Sequence, residues 1–231
     1  MRKLFTFFLF IWATSLSAQN LQVHYDMGKD RGYITTTMEM FKPDKLGNTF
    51  FFIDMNYNAD GVSGVSLAYW EIARVFKTEK MPFGMHIEYN SGFGRFKAAD
   101  QELGYRINDA WLAGIDYSFM AKDFSRGLSL KALYKYIRDK HDVSFQLTGV
   151  WFVNFFDGKM TFSGFADFWK EDSDFNFDGI TDAEYVFLSE PQIWYHITDH
   201  FSMGGEVELN TNFANLEGFH VNPTWGVKWT F

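Results

Sequence analysis

The chain ends on an unbroken alternation. Phe219, Val221, Pro223, Trp225, Val227, Trp229 and Phe231 are apolar, while His220, Asn222, Thr224, Gly226, Lys228 and Thr230 between them are polar or glycine. Successive side chains of a strand point to opposite faces, so this segment predicts a strand with one greasy face, carrying three large aromatics, and one wettable face. The same period recurs upstream. Over 143–155, Phe145, Leu147, Gly149, Trp151, Val153 and Phe155 share a face; over 202–211, Met203, Gly205, Val207 and Leu209 oppose Gly204, Glu206, Glu208 and Asn210. Segments of about ten residues separated by turn residues predict twelve strands: 21–27, 33–41, 49–58, 65–77, 85–90, 109–119, 128–138, 143–155, 160–170, 186–197, 202–211 and 220–231.

The N-terminus has a different pattern. Arg2 and Lys3 precede an apolar run, Leu4 to Ala13, and Ser15-Leu16-Ser17-Ala18 supplies small residues for cleavage. This is the tripartite layout of a secretory signal peptide. Residues 1–18 are expected to be removed, leaving 19–231 as a single domain without linker, repeat or low-complexity tract. No later run approaches the ~20 apolar residues of a membrane-spanning helix. If the mature chain lies in a membrane it must therefore be a closed barrel, the other structure that satisfies its own backbone in lipid.

Composition bears on which face is outside. Phe, Trp and Tyr make up 20% of residues, yet mean hydropathy is −0.20, a combination suited to a wall that is apolar outside and polar within. A soluble sandwich or lipocalin-like barrel inverts those faces, and parity alone does not say which is out. There is no cysteine, so an exported chain of this size draws no stability from disulfides. Loss of Arg2 and Lys3 lowers the basic count from 21 to 19 against 29 acidic residues, a net charge of −10. That argues against a nucleic-acid polymer as partner and for cations or neutral polar solutes.

An even strand count with both termini on the periplasmic side makes 42–48, 78–84, 120–127, 156–159 and 198–201 short inner turns. It leaves 91–108 and 171–185 as two long outer loops. The parity opposite the apolar one then names the lumen. Carboxylates dominate it: Asp54, Glu71, Glu88, Asp116, Glu206 and Glu208 among them, with Asn56, and the aromatics Phe52, Trp169 and Trp194 share the same face. Rings offer flat stacking surfaces, and carboxylates and amides take hydroxyl protons, which suits a sugar or sugar-plus-base solute. Equally, the same groups can fill a narrow lumen, pairing Lys131 and Lys135 with acidic neighbours, since buried charges need partners in any case.

Asn48-Thr49-Phe50-Phe51-Phe52-Ile53-Asp54-Met55-Asn56, then Leu67-Ala68-Tyr69-Trp70-Glu71, and the ending Trp225-Gly226-Val227-Lys228-Trp229-Thr230-Phe231 resemble the nucleoside-specific channel-forming porins (Tsx-like), more particularly an uncharacterised branch of bacterial relatives. The resemblance is diffuse over the whole mature chain. It implies a twelve-stranded, monomeric outer-membrane barrel with a narrow aromatic-lined path for nucleosides, in a Gram-negative bacterium. Phe52, Asp54, Asn56 and Glu71 are the pore contacts it carries over. Outer-membrane barrels also end on an aromatic that the insertion machinery reads, the part Phe231 would play here.

Two further constellations stand out. Asp174, Asn176, Asp178 and Asp182 fall at positions 1, 3, 5 and 9 of a calcium-type loop with Gly179 at position 6. Position 12, however, is Tyr185, the acid Glu184 stands at 11, and no helix pattern flanks the segment. Structural calcium in this outer loop is the one cofactor the sequence suggests. Ser189, His196 and Ser202 are the nearest approach to a rim enzyme acting on lipid, but Ser189 and His196 have opposite parity and no G-x-S-x-G or H-E-x-x-H motif occurs. The expected function is passive, substrate-preferring uptake of small polar solutes, nucleosides first. The competing readings are a non-transporting structural or receptor barrel presenting the acidic loop, and a rim enzyme.

Overall fold

A computed structural model of the chain describes residues 19–231 except 79, 141–143, 177 and 180; the expected signal peptide lies outside the described residues. The strands are β1 (Gln19–Asp26), β2 (Ile34–Asp44), β3 (Gly47–Tyr57), β4 (Val65–Phe76), β5 (Gly84–Ala98), β6 (Gln101–Met120), β7 (Arg126–Ile137), β8 (Ser144–Phe155), β9 (Met160–Ser173), β10 (Asp182–Ser189), β11 (Gln192–His196), β12 (Phe201–Thr211) and β13 (Phe219–Thr230). Each pairs antiparallel with the next except β10 with β11, and β1 closes on β13 from Asn20↔Thr230 to Asp26↔Thr224. Segments β10 and β11 both lie between β9 and β12, so they are halves of one stave and the barrel has twelve.

Glu190 and Pro191 separate the halves. Proline has no N–H for the ladder, and at Pro191 only its carbonyl remains in use, accepting from Val207 N–H at 3.0 Å. Further along β12, Gly204 and Gly205 stand opposite Trp194 and Ile193 of β11. A Cβ on Gly204 would meet the carbonyl oxygen of Ile193, and one on Gly205 that of Thr224, so both positions need glycine for the strands to approach.

The register is uniform enough to assign every face. Trp111 is 52% exposed and Leu112 beside it 1%. Leu21, Tyr25, Ile87, Ile115, Leu130, Leu147, Trp225 and Trp229 are exposed on the outside, whereas Gln22, His24, His86, Glu88, Lys135, Gln146 and Asn222 are buried within. Apolar side chains outside and polar ones inside is the inverse of a lipocalin and the arrangement of an outer-membrane β-barrel. Aromatics gather near both rims: Phe76, Phe119, Phe155, Tyr195 and Trp229 at the end bearing the termini, Tyr25, Tyr136, Tyr185 and Phe219 at the other. Arg74, facing outward at the first rim, passes 5.1 Å from the Phe76 ring and holds Asp44 through Nη1 at 2.6 Å and Nη2 at 2.9 Å. That pairing lets the charged head leave the lipid.

The turns at the terminus-bearing end are short, as expected. One expected outer loop is corrected: 91–108 is no loop, because β5 and β6 continue through it as a ribbon, paired to Ala98↔Gln101. Phe96 and Tyr105 pack at 6.2 Å across it, while Gly92, Gly94 and Gly104 obscure the period-2 signal in the sequence. The other, 171–185, contracts: β9 runs to Ser173 and β10 starts at Asp182. Among the described residues no helix is long and apolar enough to cross a membrane; the strands do so.

Candidate functional site

Strand parity brings the lumenal side chains together. On β3, Phe52 lies 5.9 Å from Phe50 and 6.0 Å from Tyr69 of β4, a ladder of rings along one wall. Beside it, Asp54 accepts from Thr37 Oγ1 at 2.6 Å, Glu71 from Tyr69 Oη at 2.7 Å, and Asn56 Oδ1 from Thr35 Oγ1 at 3.0 Å. All four residues are only half-buried, so they line open space. Glu206 on β12 is also half-buried and accepts from Gln192 Nε2 at 2.9 Å. Between these walls stands Glu190, whose charged neighbours are Glu206, Asp54, Glu208 and Glu71. Among the described residues no side chain donates to it.

The other expected contacts are held in networks of the wall. Glu88 accepts from His86 Nε2 at 2.8 Å and Asn90 Nδ2 at 3.1 Å. Asp116 accepts from Ser118 at 2.5 Å and Ser129 at 3.0 Å, with Lys131 opposite in register. Trp169 donates to Glu171 at 2.7 Å and Trp194 to Gln192 at 2.9 Å. Both indoles carry a lysine on the ring face, Lys135 Nζ at 4.1 Å from the Trp169 centroid and Lys228 Nζ at 4.0 Å from that of Trp194. Such contacts are worth roughly 0.5–2 kcal/mol. Trp194 is fully buried because its row across the sheet is Gly204 and then Gly226, leaving the indole room to lie flat.

Glu208 belongs to the outer mouth. Arg31, from the loop after β1, holds Glu208 at 3.0 Å and Asp26 at 2.9 Å, while Asn210 and Asn222 donate to the same Glu208 oxygen at 2.6 and 2.8 Å. The loop after β3 buries Ala59 and Val62. The loop after β12 brings Phe213 edge-on to Trp169 at 6.0 Å. Together these loop residues narrow the entrance. Sequence parity could not supply Arg31 or Phe213, since loop residues carry no period, whereas Asn90 shares the inward parity of His86 and Glu88 on β5.

Of the calcium-type residues, Asp174 accepts from the backbone N–H groups of Asp178 at 3.2 Å and Gly179 at 2.9 Å, closing the turn on itself. Among the described residues no group of three or more His, Cys, Asp or Glu side chains is arranged to hold a metal ion. His196 and Ser202 do meet, Nδ1 to Oγ at 2.8 Å, and His196 Nε2 lies 2.7 Å from Thr161 Oγ1. Ser202 is 2% exposed and faces the lumen wall rather than the lipid rim. Ser189 points outward and donates to the Phe165 carbonyl at 2.7 Å, away from His196 as its parity predicts.

A family model described as a domain of unknown function, DUF5020, matches residues 18–231. A comparison with curated protein sequences finds no match. Among solved structures, the NanC porin superposes with a TM-score of 0.58 at 10% identity, over 93% of this chain and all of that one. The Acinetobacter baumannii outer-membrane protein Omp33 gives 0.43 at 13% identity over 92% and 96% of the two chains. The translocator domain of the autotransporter NalP from Neisseria meningitidis gives 0.45 at 8%, over 92% and 87%. At 10% identity the likeness to the NanC porin is one of fold alone.

Proposed function

Since the chain belongs to the DUF5020 family and folds as a closed outer-membrane barrel, we propose that it is a passive, substrate-preferring channel for small polar solutes, with nucleosides as the first solutes to test. The observation that carries this reading is the half-buried wall of β3 and β4, where the Phe50, Phe52 and Tyr69 rings run alongside Asp54, Asn56 and Glu71. Rings of that kind stack on flat bases or sugar faces, and the carboxylates and amide accept hydroxyl protons. Several weak stations in series speed a dilute solute without trapping it. The resemblance of the same segments to nucleoside-specific porins supports the choice of solute. Outer-membrane lipid surrounds the barrel, and Phe231, outward-facing and hydrogen-bonded through its N–H to the Gln19 carbonyl at 3.1 Å, is the residue we infer the insertion machinery to read.

The deciding experiment is single-channel conductance of the refolded mature protein in planar bilayers, titrated with nucleosides and simple sugars. Small steady openings, blocked by nucleosides at low concentration and relieved by Phe52→Ala, are expected. Openings indifferent to nucleosides would leave a channel of other preference. A folded, heat-modifiable barrel without conductance would overturn the channel reading in favour of a structural or receptor barrel.

A further inference from the structure

The ribbon that β5 and β6 form above the rim has two unlike edges. On the β5 side the loop after β3 closes it: Lys97 N–H donates to the Asp60 carbonyl at 2.9 Å, and Arg95 Nε to the Val65 carbonyl at 3.0 Å. On the β6 side the wall stops early. β7 pairs with β6 only as far as Ala110↔Ile137, and Arg138 N–H adds one bond to the Asp109 carbonyl at 2.8 Å. Over 101–107, β6 pairs with β5 alone among the described residues, and 101–106 are exposed. This stretch presents a row of main-chain N–H and C=O groups to the outside, which is a template for another strand.

The side chains of that edge decide which strand fits. Alternation puts Glu102, Gly104 and Arg106 on one face of β6, and Leu103 and Tyr105 on the other. The two charges are opposite in sign and flank Gly104 symmetrically. Arg106 forms no salt bridge among the described residues. Glu102 is held by Arg95 Nη1 at 2.5 Å, yet its side chain stays 47% exposed, and a carboxylate accepts more than one donor. Laid antiparallel on itself about Gly104, the edge sets Glu102 of each copy opposite Arg106 of the other, and Leu103 opposite Tyr105. Opposite charges directly across a ladder attract, and like charges repel. Two copies side by side in one membrane would run their ribbons parallel, and a symmetric parallel pair sets Glu102 against Glu102 and Arg106 against Arg106. The charges therefore favour the antiparallel pair and oppose the parallel one.

We propose that the open edge of β6, residues 101–107, is a docking surface for a second copy of this chain, paired antiparallel edge to edge across the gap between two facing membranes. The two-fold axis passes through Gly104, perpendicular to the ribbon. It inverts one barrel with respect to the other, so the partner lies in the opposite membrane and not beside the first. This pairing is independent of what the lumen passes.

Vesicle clustering tests it. Liposomes carrying the refolded mature protein are expected to draw together, read as a several-fold rise in particle size by light scattering, while protein-free liposomes stay dispersed. Glu102→Arg leaves an edge with two arginines, and Arg106→Glu one with two glutamates. Neither variant should cluster alone, and vesicles of one mixed with vesicles of the other should cluster as wild type does. Heat-modifiable migration checks that each variant is folded. Wild-type vesicles that stay dispersed would overturn the proposal, as would variants that cluster unmixed or folded variants that fail to cluster when mixed. Gly104→Cys gives an independent reading, because a Cβ there meets only the Gly94 carbonyl oxygen, at 3.8 Å, and the chain has no cysteine of its own. Residues directly opposite in an antiparallel pair lie within disulfide reach. Mild oxidation should therefore join Gly104→Cys chains from tagged and untagged vesicles into a mixed dimer, and absence of that dimer overturns the pairing.

Discussion

Glu206 and Val207 are adjacent on β12, yet one side chain reaches the lumen and the other the lipid, in one row with Pro191 and Pro223. A lysine placed at each tests that division with the same chemistry. Val207→Lys puts a charge in the middle of the apolar band, which costs about 2–4 kcal/mol; denaturant refolding into vesicles should show that loss. Glu206→Lys should refold near normally and shift ion selectivity toward anions. The reverse pair of outcomes would mean the register is wrong. The facing of these residues was legible because a strand has a strict period of two. Their partners were not. Lys228 meets Trp194 across an intervening strand, and only the alignment of Gly204 and Gly226 lets the indole lie there, which no pattern within a single strand records.

At the scale of elements, strand number and order followed from the spacing of alternating segments, and closure of the first strand on the last follows from an even count. Two features escaped. The ribbon of β5 and β6 reads as a loop because its glycines dilute the alternation. The stave of β10 and β11 reads as one strand, although Pro191 interrupts it. The interruption is a local weakness: Val207 N–H reaches the Pro191 carbonyl, but no N–H returns. Pro191→Ala restores a donor at a position whose pairing is otherwise formed, worth about 0.5–1.5 kcal/mol for one hydrogen bond. Hydrogen exchange in vesicles should then show slower exchange for the β11 and β12 amides near Val207. Unchanged exchange would place the weakness elsewhere, in the glycine pair of β12.

The whole molecule is a polar interior held by an apolar shell, with its outer entrance narrowed by loops. Arg31 is the loop residue most firmly tied to the wall, through Asp26 and Glu208. Arg31→Ala removes charge-assisted hydrogen bonds worth about 1.5–3 kcal/mol and frees the loop after β1. We expect larger single-channel conductance together with a lower refolding midpoint; an unaltered conductance would mean that the entrance is set by the loops carrying Val62 and Phe213. Net charge had pointed to cations or neutral solutes before any geometry was known, but which lysines lie on aromatic rings is a property of the closed barrel alone.

The ribbon beyond the barrel has a practical corollary. Above Ala110, β6 pairs with β5 and no longer with β7, and the hairpin tip at Ala99 and Asp100, where Ala99 takes a positive φ of 53°, touches no stave of the wall. Added length there changes no register, and the entropy of a longer loop rises only slowly with its size. The tip is therefore a permissive insertion point, where an epitope tag can be displayed on the cell surface for antibody staining while the barrel beneath it assembles as before.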